Sequence, residues 1–424
     1  MGRSTKENRP YNLKPVKRIE LSEKNTTLRA VLAITLLVVG AVAIGVGVFS
    51  LLTTDPGWTV IENDSSELNC SDEFVLNYCL GMGEDSATAE KKNITALYSA
   101  LCSRAYKIFS TDADFEGISN TYTINSNVNA QVVIDEVLYR AFELALSHES
   151  RAIYLSALFA EYENNFFGYD TSSVVEDCDP YVNEDFASLF ATMAFFASSD
   201  EHIRLELLGN NTVKLCASEE YLAFAKEYEV TDLVGFSWFK NAFIIDYMAS
   251  ALIERGYTCG NITSYDGYVR NLDTRSDAGY VFNLFNRAGT DVFISAKMNY
   301  KGGISIVTLR DYPLSENDIF RYFTLKDGSS ITPYIDINDG LYRSATDSLT
   351  LYSSEGMGCA EILLSSMEAY ICEDVDLELI KALSDKRISA VWSDDTVVKY
   401  TDKGIDLFLQ EYEGRKYTKA YAFD

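Results

Sequence analysis

Glu361 and Ser365 stand four positions apart in a stretch, Gly358 to Tyr370, that reads as a helix. At that spacing two side chains share a helix face, so one carboxylate and one hydroxyl can present hard oxygens to a single cation. The same pair also suits a solvated first turn, where Ser and Glu are common. A second stretch of chemical interest runs from Asp232 through Gly235 to Lys240 and Asn241, with Phe236, Trp238, Phe239 and Phe243 around it. These rings could sandwich a flat ligand, although aromatic stripes are more often core. Asp336 and Gly340 fit a turn. The chain has two histidines, His148 and His202, and eight cysteines without a Cys-x-x-Cys pair, which argues against a zinc site or a His-based triad. Disulfides such as Cys70–Cys79 or Cys359–Cys372 are open, but spacing does not select among pairings.

The elements that must hold these residues are legible in part. Residues 87–109 read as a helix, and apolar residues from Val132 to Phe159 recur at helical spacing. Ile203–Leu208 and Val213–Leu215 flank Gly209-Asn210-Asn211, a hairpin pattern. Ala242 to Gly256 is helical with a glycine stop. Gly303–Leu309, Phe320–Leu325 and Ser348–Ser353 read as strands. The fold class expected is α+β, helices packed on a mainly antiparallel sheet, preceded by one N-terminal transmembrane helix.

That helix is expected over Val31 to Leu52, 22 residues without a charge and long enough for a hydrocarbon core. Residues 1–30 carry eight Lys or Arg, and the next basic residue is Lys91. The bias puts this tail in the cytoplasm and the main domain outside. Taking away the eight basic and three acidic residues of the tail leaves 28 basic against 60 acidic, a formal charge near −32. Such a surface repels nucleic acid. The organisation expected is a basic tail over 1–30, an anchor over 31–52, a variable lead-in region over 53–120 and a main domain over 121–424.

Several strings occur in the order that resembles the FAD:protein FMN transferases, the ApbE-like family. They are Asp232-Leu233-Val234-Gly235, then Lys240-Asn241-Ala242-Phe243-Ile244-Ile245-Asp246, then Asp266-Gly267-Tyr268. Downstream come Asp318-Ile319-Phe320-Arg321-Tyr322-Phe323, then Thr332 through Asp336 to Gly340, and Ala360-Glu361 through Ser365. The resemblance spans roughly Thr121 to Phe408. It implies transfer of FMN from FAD to a threonine of an outer-facing redox protein, with Mg²⁺ held by Glu361, Ser365 and backbone at Gly235. It also implies flavin nucleotide contacts from Asp232, Lys240, Asn241 and Asp336. The family lysine falls on Asn241, one residue after Lys240, a displacement of about 100° on a helix. Its histidine is Pro333 here, and its Gly-Gly turn is Asp266-Gly267. These departures keep open a second expectation, a catalytically degenerate flavin-binding or protein-interaction scaffold of the same fold.

Overall fold

The computed structural model describes residues 54–424 except 84, 168–174, 274 and 276, together with Val31, Thr35 and Leu36. The anchor expected over Val31–Leu52 lies, but for those three residues, outside the described residues. Among the described residues no helix is long and apolar enough to cross a membrane.

Among the described residues nine strands cross the main sheet in chain order: β1 (Gly57–Ile61), β2 (Phe74–Leu80), β3 (Gly260–Ser264), β4 (Tyr268–Asn271), β5 (Ile304–Arg310), β6 (Ser348–Ser353), β7 (Ser389–Asp394), β8 (Val397–Tyr400) and β9 (Thr418–Tyr421). Neighbours from β1 to β8 are antiparallel, and β9 joins β8 in parallel. Alternation along the strands sorts side chains to two cores. Val307, Leu309, Leu349, Leu351, Ala390 and Trp392 enter the larger one, whereas Ile304, Ile306, Tyr352 and Val391 enter the smaller. Strand β6 is buried along its whole length because both its faces are covered.

The larger core is filled by helices, among them α1 (Ala87–Phe109), α2 (Ser156–Asn165), α3 (Lys240–Glu254) and α4 (Cys359–Tyr370). The smaller core is closed by a three-stranded ladder of Gly279–Ala288, Asp291–Lys301 and Asp406–Leu409. An α+β fold with a mainly antiparallel sheet is therefore what the sequence pattern implied. Residues 57–109 supply β1, β2 and α1 to the unit Asp55–Asp424.

Two elements differ from expectation. The helical spacing from Val132 to Phe159 is divided among a strand at Gln131–Val133, a helix at Glu136–Ser147, a 3-10 turn at Ala152–Tyr154 and α2. Asp135 caps the helix by accepting from Val137 N–H at 2.9 Å, and the left-handed Glu149 ends it. Phe320–Leu325 is not a strand of the main sheet: Ile319–Arg321 is a 3-10 turn, and Phe323–Thr324 pairs only with Ser330–Ile331. The cause is Asp318, whose carboxylate accepts from Leu314 N–H at 2.9 Å and Ser315 N–H at 2.7 Å while paired to buried Arg310. That folded-back loop cannot remain extended. Helix α3 packs on β3 and β4.

Candidate functional site

The segment entering α3 is bent by close contacts. Gly235 N–H donates to the Ile153 carbonyl at 2.8 Å, and a Cβ on Gly235 would come within 2.7 Å of Ser156 Oγ. Ser237 then adopts φ +44° and opens a 3-10 turn, Ser237–Phe239, that leads into α3. A left-handed non-glycine residue is costly and persists only when its surroundings hold it. The hydroxyl of Ser237 is buried without a hydrogen-bond partner. This turn orients two neighbours differently. Lys240 is half-exposed, whereas Asn241 is 1% exposed.

Around them lies an ionic network. Lys240 Nζ is 3.3 Å from Glu73 Oε1, and Arg321 Nη2 is 3.2 Å from Glu73 Oε2. Arg321 Nη1 also pairs with Asp266 at 3.1 Å. Asn241 Nδ2 donates to both carboxylates, at 2.7 Å to Glu73 and 3.0 Å to Asp266. Burial alone would raise the Glu73 carboxyl, but Lys240, Arg321 and the Asn241 amide outweigh it and hold it below the ordinary carboxylate value. Burial works against the Arg321 cation too, yet Asp266 and Glu73 keep it firmly protonated. Asp266 is delivered by the β3–β4 turn, where Gly267 has φ +108° and a Cβ would meet the Thr308 carbonyl at 2.2 Å. Only glycine fits there.

Two cavities meet at this network and share Phe159, Glu163, Ser237 and Lys240 in their walls. The smaller, about 240 Å³, is bounded by Trp238, Phe320, Arg321 and Pro333. The larger, about 320 Å³, is bounded by Thr111, Asp112, Ser156, Asp232 and Phe236. Burial pushes the Asp232 carboxyl up, against a hydrogen bond from Thr111. Phe236, Phe239 and Phe243 pack chiefly on one another and on Phe109 and Phe142, as core. Trp238, edge-on to Tyr334 at 5.0 Å, is the ring of this run that faces the smaller cavity.

The first turn of α4 has different neighbours. Asp246 of α3 accepts from the N–H groups of Cys359 and Ala360, each at 2.9 Å, and pairs with Arg270. A carboxylate at a helix N-terminus satisfies free donors and the helix dipole together. Glu361 and Ser365 lie beside His148: Ser365 Oγ is 3.5 Å from His148 Nδ1, and burial lowers the imidazole against the opposing charge of Glu361. Gly235, by contrast, contacts Ile153, Ser156 and Thr111. Among the described residues no group of three His, Cys, Asp or Glu could hold a metal ion. One carboxylate and one hydroxyl do not form a protein cage, and neither Glu361 nor Ser365 lines the two cavities. Asp336 is engaged in a turn, bonded to Arg343 at 2.9 Å and to Asn338 N–H at 2.9 Å, with Gly340 N–H on its carbonyl.

No family model matches this sequence, and no curated protein matches it. Solved structures do. The ApbE protein of Thermotoga maritima superposes with a TM-score of 0.53 at 12% identity, over 84% of this chain and 97% of that one. The flavin transferase ApbE of Vibrio cholerae gives 0.52, also at 12% identity and over the same shares. The chain has the ApbE fold.

Within the ApbE fold the structure brings Lys240 and Asn241 onto one network and sets Asp232 in the adjoining cavity wall. Three participants were not among the residues singled out as a site. Arg321 and Asp266 stood inside the strings that carried the resemblance, so a signal existed for both. Glu73 had none, because it precedes Asn241 by 168 residues and only the β2–β3 pairing carries it there.

Proposed function

We propose that the cleft around Lys240 binds FAD, and that the protein is a membrane-anchored, extracytoplasmic FAD:protein FMN transferase acting on a threonine of an outer-facing redox protein. The observation that carries this reading is the two-lobed cleft with Lys240 at its waist and Arg321 in the wall of the smaller lobe. FAD is two flat ring systems joined by a pyrophosphate. An aromatic lobe at Trp238, Phe320 and Arg321, a hydroxyl-lined lobe at Thr111 and Ser156, and Lys240 between them match that order of groups. Small-ligand clefts of a few hundred Å³ with a few aimed polar groups are the usual form of such sites.

In the transfer, the acceptor threonine oxygen bonds to the FMN-side phosphorus as the bridging bond to AMP breaks. Catalysis of this kind is mostly positioning and charge stabilisation. Lys240 and Arg321 stabilise the charge, and we assign the hydroxyl proton to Asp232, the carboxylate that lines the larger lobe together with Lys240. The cleft walls also hold Glu73, Glu163 and Asp112, so a pyrophosphate meets negative surroundings. A divalent cation carried by the pyrophosphate would relieve this; Glu361 and Ser365, expected as its ligands together with the Gly235 backbone, stand beside His148 and line neither lobe, so the cleft as built supplies it no such ligand set.

A specific observation favours a second reading. Both cations are already neutralised by Glu73 and Asp266, and Pro333 offers no donor in the aromatic lobe. A flavin-binding scaffold without turnover would show the same features. Purified protein with FAD, Mg²⁺ and a threonine-containing acceptor separates the two. AMP release with a fluorescent acceptor supports the transferase, FAD binding without AMP supports the scaffold, and absence of FAD binding rejects both.

A further inference from the structure

The segment that carries Glu73 is flanked by Cys70 and Cys79, and each meets a cysteine from a distant part of the chain. In the β2–β3 ladder Tyr78 is opposite Gly260, and Cys79 N–H donates to the Cys259 carbonyl at 2.8 Å. The next rung therefore sets Cys79 directly opposite Cys259. Opposite residues of an antiparallel pair share a face with Cα atoms about 4.5–5.5 Å apart, inside the span of about 4.4–6.8 Å that a disulfide accepts. Both residues are only partly buried. At the other end, Cys70 directs both its N–H and its Sγ to the carbonyl of Cys102 in α1, each at 3.4 Å. The Cys102 thiol itself is directed to Met248 Sδ at 3.8 Å, so the link needs it to turn towards Cys70. Cys102 is 0% exposed, and Cys70 is reached from the larger cavity. Other thiols face elsewhere: Cys359 bonds the Val269 carbonyl at 3.3 Å and Cys372 the Asp374 carbonyl at 3.1 Å.

We propose that Cys70–Cys102 and Cys79–Cys259 are two disulfide sites that staple the Glu73 segment to α1 and to β3. The oxidant is a disulfide of small-molecule or protein origin. A thiolate of each pair attacks one sulfur of that disulfide and releases one thiol. The partner thiolate then displaces the mixed disulfide and releases the second. Two cysteine thiols are oxidised as one external disulfide is reduced, and the two thiol protons leave on the reduced oxidant. These staples replace the pairings open from sequence spacing, and they fix the carboxylate that holds Lys240 and Arg321 whether or not flavin binds there.

The test uses the full chain in detergent, incubated with oxidised glutathione, then denatured, alkylated and digested without reduction. Four of the eight cysteines should escape alkylation, and mass spectrometry should find Cys70 joined to Cys102 and Cys79 joined to Cys259. Replacing both Cys79 and Cys259 by serine should leave the Cys70–Cys102 link in place. Full alkylation of these four positions, or a Cys70–Cys79 link, overturns the proposal. Wild-type mapping alone decides it if the double variant fails to fold.

Discussion

At Glu73 one carboxylate binds Lys240, Arg321 and the Asn241 amide, and the first two line the cleft proposed for a pyrophosphate. In the proposed site it competes with the ligand. Glu73→Gln keeps the shape, removes the charge and leaves both cations less neutralised, so FAD affinity should rise; calorimetric titration finding it lowered would mean that Glu73 orders the site rather than opposing the ligand. A second carboxylate makes a prediction about stability. Burial, reinforced by Asp347, pushes Asp311 from 3.8 up to about 7 despite its 2.8 Å pairing with Arg287. Between those values the folded chain retains a proton that the unfolded chain has lost. Stability therefore falls as pH rises from about 4 towards 7 on account of this group. Asp311→Asn should flatten that part of the profile, measured as denaturant midpoints across pH, and an unchanged slope would show that Asp311 stays ionised.

Among the elements, α4 is fixed to α3 by the Asp246 carboxylate on its first N–H groups. A Cβ at Gly358 would come within 2.3 Å of that carboxylate. Gly358→Ala should thus cost roughly 1–3 kcal/mol, the range for an overpacked contact. Thermal unfolding of the variant checks this, and a neutral result would mean that Asp246 moves aside freely. Apolar runs and their periodicity made the regular elements legible: α1, the 203–217 hairpin, α3 and α4 by spacing, and β5 and β6 as short apolar runs buried on both faces. It did not reveal the break at Glu149 or the turn around Asp318, because both depend on polar bonds to backbone that leave no apolar pattern. At the site, Lys240, Asn241 and Asp232 were legible from collinear strings. Their partner Glu73 was not, because a contact across 168 residues comes from strand pairing.

The whole molecule presents an acidic domain, near −32 beyond the basic tail, and the charge asymmetry around Val31–Leu52 predicts that Asp55–Asp424 faces outward. Membrane-impermeant thiol reagent applied to intact cells after reduction should label cysteines of this domain. Labelling confined to permeabilised cells would reverse the topology. An acidic exterior also bears on the cleft, since Lys240 and Arg321 are local exceptions to the prevailing charge. The central claim, that this waist receives a flavin dinucleotide, is tested most directly by titrating FAD into the wild-type chain and into Lys240→Ala, each with Mg²⁺ and with EDTA. Wild type with Mg²⁺ should bind, and Lys240→Ala should lose roughly 1.5–3 kcal/mol, about ten- to a hundredfold in Kd. Equal affinity of the two proteins, or no binding by wild type with Mg²⁺, would contradict it.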